Sequence, residues 1–301
     1  MTPSPAQPAM ALAQRQVEVQ QSRTRALWTK AVGRGIIYSL LLAGSAVYLF
    51  PFAFMLSTSL KTLAQTFMWP PEMIPKPFTL ENYVEGWNLL PTASFYKNTL
   101  IVAALNILGT LLSSTLVAYG FARLRFAGRN ILFMILLATM MLPGQVTMIP
   151  LYIGFSKIGW VGTLKPLFVP AFFGNPFQIF LLRQFLMTIP HELDDAAKID
   201  GCGYFRTLVS IVLPLILPAI GVVAIFTFTG AWNDFLGPLI YLRKLEQFTI
   251  AMGLRMFQMQ GGTHMGRLMA MAVLALLPQI IIFFFTQKQM VQGVVLTGIK
   301  G

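Results

Sequence analysis

The chain has 301 residues, of which 56% are hydrophobic and only 11% charged. A soluble domain carries about 25% charged residues, and half that charge would leave apolar patches that soluble monomers rarely expose. The same numbers exclude global disorder. One cysteine and two histidines exclude an internal disulfide framework and argue against a multi-ligand zinc site, so no metal or cofactor is expected. A net charge of +12 would suit nucleic acid only if the basic residues formed one face.

They are instead spread between long uncharged runs. Residues 1–34 form a basic N-terminal tail, with Arg15, Arg23, Arg25, Lys30 and Arg34 in its later part. The tail lacks a charged beginning followed by an apolar stretch, and its basic residues come just before the first span, so it does not read as a signal peptide. Six runs of 17 to 27 residues then lack any charge. About 20 apolar residues cross the roughly 30 Å hydrocarbon core as a helix. The runs therefore predict an all-α integral membrane protein with six spans, near 36–58, 98–121, 131–152, 166–185, 209–232 and 268–287. The span over 166–185 is the weakest, with Pro170, Asn175 and Pro176 inside it and Arg183 near its end. Pro51, Pro143, Pro150, Pro214, Pro218 and Pro278 also lie in or near spans and should kink or interrupt them. Residues 35–290 form the membrane domain, and 291–301 form a C-terminal tail.

Six spans put both termini on one side. The tails and the loops near 122–130 and 186–208 hold 13 basic residues against nine in the other set. The positive-inside rule places that side, and both termini, in the cytoplasm of a bacterial or archaeal plasma membrane. No ionisable group lies well inside any span, which argues against a proton-coupled carrier. Polar neutral residues do occur there. Asn106, Ser113, Ser114, Thr115, Gln145, Asn175, Gln178 and Asn233 each suit either packing between helices or substrate contact, and Gln145, Asn175, Gln178 and Asn233 are the candidates for a substrate path. The chain contains no G-x-x-x-x-G-K-[ST], H-E-x-x-H or G-x-S-x-G, so no ATPase, metalloprotease or serine-hydrolase chemistry is expected.

The segment IPHELDDAAKIDGCGYFRTLVSIVLPLILPAI before the fifth span holds four of the chain's ten acids. Pro190 suits a first helical turn, and Glu192, Asp194 and Asp195 sit where a helix dipole favours negative charge. Gly201 after Asp200 is a stop signal. A short helix outside the bilayer is predicted, with Tyr204, Phe205 and Leu208 leading back into the membrane. Physically it fits either an amphipathic connector or a docking surface whose alanines allow close approach. Cys202 beside it reads as a reduced, inert thiol.

The spacing Asp195-Ala196-Ala197, Gly201, then Ile211, Leu213 and Pro214 resembles the E-A-A, three residues, G, nine residues, I-x-L-P loop of permease subunits in binding-protein-dependent ABC importers. The one departure is Asp for Glu. AYGFARLRFAGRN (118–130), MMLPGQVTMIPLY (140–152), IFLLRQFLMTIP (179–190), FTGAWNDFLGPLI (228–240) and GVVLTGIKG (293–301) are similar to the carbohydrate branch, in particular to the shorter permease of maltose or glycerol-phosphate type. The resemblance implies a non-catalytic permease working with a second permease subunit, two ATP-binding subunits and an extracytoplasmic sugar-binding protein. It makes 191–204 a coupling helix, with Glu192, Asp195, Ala196, Ala197, Asp200, Gly201 and Phe205 as contacts to the ATPase and Lys300 as a further one. It turns the loop 234–267 toward the binding protein. The competing classes are a secondary transporter or channel and a membrane enzyme. Intramembrane charge or repeated halves would mark the first, and a nucleophile or acid cluster at the membrane edge the second.

Overall fold

The computed structural model describes residues 6–259 and 265–298, with side chains described over 32–259 and 265–287. Lys300 lies outside the described residues. The chain divides into two units, Met1–Ser57 and Thr58–Gly301. Almost all of the first unit is helix α1 (Ala6–Ser59), which is continuous through Pro51. Its part Val32–Ser59 has a mean hydropathy of 1.9. Leu40, Leu42, Val47 and Tyr48 there are exposed, as a lipid-facing helix requires.

In the second unit, α2 (Glu81–Leu89) leads into the long α3 (Thr92–Arg123). There follow α4 (Arg129–Thr139), α5 (Gly144–Lys157), α6 (Pro176–Leu186), the short α7 (Glu192–Ile199), α8 (Tyr204–Leu215), α9 (Leu217–Asn233), α10 (Ile250–Met259) and α11 (Met265–Gly298). No strand occurs among the described residues. Helix α3 is apolar on two faces. Leu100, Leu108, Leu112 and Leu116 point outward, while Ala118, Tyr119 and Ala122 are buried. A helix that is apolar all round belongs in a large core or a membrane.

Two larger clusters hold most of the core, beside a small one of Phe257, Ala270 and Met271. Ala118, Tyr119 and Ala122 of α3 pack with Ile179, Leu182 and Leu186 of α6 and with Leu208, Val212, Ile216, Ala219 and Val223. The last five keep helical spacing across the junction of α8 and α9, so one apolar stripe survives the break. Phe95 and Ala103 of α3 pack with Phe228 and Trp232 of α9, Ile250 of α10 and Ala275 of α11. Trp232 Nε1 donates to the Ala275 carbonyl at 3.0 Å. The Ile250 N–H donates to Thr99 Oγ1 at 2.9 Å. Both groups are deeply buried, where an unmet polar atom would be costly.

The predicted spans differ in continuity. Val32–Ser59, Thr92–Arg123 and Met265–Gln287 are single helices long and apolar enough to cross a membrane. The expected helix over 131–152 is two helices, α4 and α5, meeting at 94°, and that over 209–232 is α8 and α9 meeting at 81°. The segment 166–185 is a turn of helix at Lys165–Phe168, a 3-10 turn at Val169–Phe173, and then α6. Proline explains the breaks. Pro143 precedes α5, Pro176 is the first residue of α6, and Pro218 lies in the first turn of α9. Proline lacks an N–H and disfavours helical geometry in the residue before it. Ahead of Pro214 the backbone widens to a π turn at Leu208–Val212, which makes room for the ring against the preceding carbonyls. Pro150 and Pro278, by contrast, lie within unbroken helices.

Candidate coupling segment and polar cavity

Helix α7 begins after His191, carries Glu192, Asp194 and Asp195 in its first turn and Lys198 in its last, matching the helix dipole at both ends. Its end is a Schellman cap: the Gly201 N–H donates to the Lys198 carbonyl at 3.0 Å and the Cys202 N–H to the Ala197 carbonyl at 2.8 Å. Gly201 has φ +77°, a left-handed conformation that glycine takes without strain.

The helix has two faces. Glu192, Asp195, Ala196 and Ile199 are all exposed and follow one another at i, i+3, i+4 and i+7, on a single stripe. Ile199 is 87% exposed, and Tyr204 and Phe205 beyond the cap are exposed as well. Asp195 pairs with Lys198 at 3.3 Å on the surface. The other face turns inward. Ala197 is buried within this chain, and Ala196 is the exposed member of the alanine pair. Asp194 is mostly buried and pairs with Arg123 at 3.0 Å. Arg123, Asp194 and Ile199 are the residues that sequence reasoning missed here. The charge interval from the 123–129 loop to the 192–200 segment carried no pairing signal, whereas the i+7 position of Ile199 was readable.

A second feature is a cavity of about 470 Å³ between α3, the broken 165–178 segment and α9, with Asn106, Asn175, Gln178, Thr227 and Asp234 on its walls. Its frame is polar because a broken helix leaves carbonyls unpaired, and in a membrane these must be met internally. Side chains of α3 meet them. Asn106 Nδ2 donates to the Leu167 carbonyl at 2.9 Å and Ser113 Oγ to that of Ala171 at 2.8 Å. Ser114 Oγ accepts from the Asn175 N–H at 3.3 Å. The fit is close: a Cβ at Gly109 would lie 2.7 Å from the Phe172 ring.

The four substrate-path candidates separate. Gln178 lines the cavity, is 6% exposed, and its Oε1 has no hydrogen-bond partner. Asn175 lines it too, but its side chain caps α6 by accepting from the N–H groups of Phe177 and Gln178. Gln145 is exposed on α5, away from the cavity lining. Asn233 is exposed and engaged with Thr229 and Gln279. Asp234, just past α9, was missed. It accepts from the Gly237 N–H at 3.0 Å, while burial pushes its carboxyl above the ordinary value. Among the described residues no group of three or more His, Cys, Asp and Glu is placed to hold a metal ion.

Helices that present apolar side chains outward, a polar cavity framed by a broken helix, and a short capped helix with a surface stripe are features that suit a membrane permease. Residues 106–295 match the family described as binding-protein-dependent transport system inner membrane component. The arabinooligosaccharides transport system permease protein AraQ of Bacillus subtilis (strain 168) is 35% identical over 266 residues, covering 85% of this chain and 92% of that one. The trehalose/maltose transport system permease protein MalG of Thermococcus litoralis is 32% identical over 271 residues, covering 88% and 96%. A solved bacterial ABC transporter involved in the import of the acidic polysaccharide alginate matches with a TM-score of 0.76 at 21% identity, over 84% of this chain and 95% of that one. The chain belongs to this family of inner-membrane permease components of ABC importers. Members of it carry no ATPase, which is a separate subunit.

Proposed function

We propose that the chain is one of two pore-forming subunits of an importer for a neutral di- or oligosaccharide, and that α7 is its coupling helix. The observation that carries the coupling reading is the exposed stripe Glu192, Asp195, Ala196 and Ile199 on a helix whose opposite face is fastened to its own chain. Asp200 and Gly201 end that helix, and Phe205 extends the presented surface. Two ATP-binding subunits would receive α7, each permease subunit engaging one of them. A second permease would complete the pore, and an extracytoplasmic binding protein would deliver the sugar. Sugar as substrate is supported by relatives named for arabinooligosaccharides and for trehalose and maltose. The residues lining the cavity include Asp234 and no Lys or Arg, so an anionic phosphodiester would find no counter-charge there. Gln178, with a free amide oxygen, is the residue of this subunit best suited to a sugar hydroxyl.

In this reading the membrane is crossed six times: by the three long helices, by the two bent pairs, and by the 165–186 segment as a broken span. Both termini lie in the cytoplasm. The basic bias of 13 to nine supports that orientation.

The test is cross-linking in the assembled complex. With Cys202→Ser as background, Ile199→Cys should cross-link to the ATPase subunits, and sugar-loaded binding protein should stimulate ATP hydrolysis by the complex. Failure of Ile199→Cys to reach any ATPase subunit, in nucleotide-free and ATP-bound states alike, overturns the coupling assignment.

A further inference from the structure

Helix α7 is eight residues long. A helix that short is marginal on its own, and it transmits a push only if something fixes it to the core. The cap that follows it at Gly201 and Cys202 closes on carbonyls of α7 itself, so it does not fasten the helix to the core. The one buried residue of α7 is Ala197, a single methyl group, so the rest of its fastening is polar.

That fastening converges on one guanidinium. Arg123 is the last residue of α3, and its side chain is 2% exposed. Its Nη2 donates to the Ile189 carbonyl at 2.8 Å, and its Nη1 donates to His191 Nδ1 at 3.1 Å. The same Nη1 is 3.0 Å from Asp194 Oδ2, whose side chain is 13% exposed. One side chain thus holds three points of the 189–194 segment. The macrodipoles add to the arrangement, because a cation sits at the carbonyl end of α3 and a carboxylate in the first turn of α7. Helix α3 also supplies Val102, Asn106 and Thr110 to the polar cavity. Thirteen residues separate Thr110 from Arg123, about 20 Å along the helix.

We propose that Arg123 and Asp194 are positioning residues that make α7 move as one body with α3, so that a displacement imposed on α7 is delivered to the cavity wall. This rests on reading α7 as the coupling helix. It adds where the motion goes and which contact carries it. The Asp194 contact is a close ion pair rather than a hydrogen-bonded fork, and the guanidinium's direction is fixed by its bonds to Ile189 and His191.

Two measurements on the complete complex in proteoliposomes test it. Asp194→Ala leaves the outer stripe of α7 intact, so the ATPase subunits should still copurify and hydrolyse ATP, while sugar transported per ATP falls at least tenfold. A wild-type ratio in this variant overturns the proposal. The second measurement keeps the native pair. Leu124→Cys and Lys198→Cys, which line one small cavity with Arg123 and Asp194, are joined by a short bifunctional maleimide in a Cys202→Ser background. If α7 and α3 move together, the linked protein transports at the unlinked rate. Loss of transport on linking means that the two helices must slide past each other, and the proposal falls. Failure of the coupling reading itself shows separately, as absent cross-linking of Ile199→Cys to the ATPase.

Discussion

Gly201 offers a perturbation whose size can be worked from the geometry. Its φ of +77° is a conformation that costs an L-residue about 1–2 kcal/mol. A Cβ built there meets nothing within 4 Å, so that backbone term is the whole penalty. Alanine and leucine should therefore be equally harmful, and asparagine, which tolerates the left-handed region, less so. A cost of 1–2 kcal/mol shifts the equilibrium between capped and frayed α7 by a factor of roughly 5–30. The chain supplies its own reporter. Cys202 is its single cysteine, its N–H closes the cap on Ala197, and it lines the small cavity beside Arg123 and Asp194. Maleimide labelling of Cys202, followed by mass spectrometry of the permease chain, should be about 5–30 times faster in Gly201→Ala and in Gly201→Leu. Gly201→Asn should fall between these and the wild type. A leucine variant labelling an order of magnitude faster than the alanine variant would show that space, not φ, governs the position. Wild-type rates in both would show that the cap does not hold α7.

Gly109→Ala should lower the thermal midpoint of the purified complex, by an overpacking cost of about 1–3 kcal/mol, because its Cβ meets the Phe172 ring at 2.7 Å. Phe172→Leu in the same chain should recover part of that loss, and strict additivity of the two substitutions would contradict the contact. Asp234 has a carboxyl raised by burial against the opposing backbone N–H bonds of Gly237 and Leu236. Its contribution to stability is therefore complete below the unfolded carboxylate value near 3.9 and is lost as pH rises through the folded one. Asp234→Asn keeps an acceptor for Gly237, so its midpoint should rise relative to wild type as pH increases from about 4, and a pH-independent difference would refute the burial argument.

Much of the fold is legible because charge is so unevenly spaced. The silences around 36–58, 98–121 and 268–287 became single long helices, since nothing inside them interrupts backbone pairing beyond Pro51 and Pro278, which the helices absorb. The prolines at 143, 176, 214 and 218 announced interruptions without giving their angles. Those angles depend on which neighbour accepts the freed groups. Ser113 reaching Ala171 and Asn106 reaching Leu167 across some 60 positions are tertiary facts with no local signature. Composition alone could not tell a kinked span from two helices at 94°.

At the site, residues defined by their own helix were readable and those defined by a distant partner were not. The cap at Gly201 and the spacing of Glu192, Asp195 and Ala196 follow from helical period and dipole. Ala197 shares the motif with Ala196 but turns inward, because a further turn of about 100° carries it past the exposed stripe that holds Asp195 and Ala196. The same rotation puts Asp194 on the inner face beside Ala197, where a carboxylate is tolerable only with a partner. Arg123 is that partner, 71 positions earlier in the sequence. An acidic cluster that looked uniform in composition is therefore two sets: Glu192 and Asp195 on the exposed stripe, and Asp194 turned inward onto Arg123.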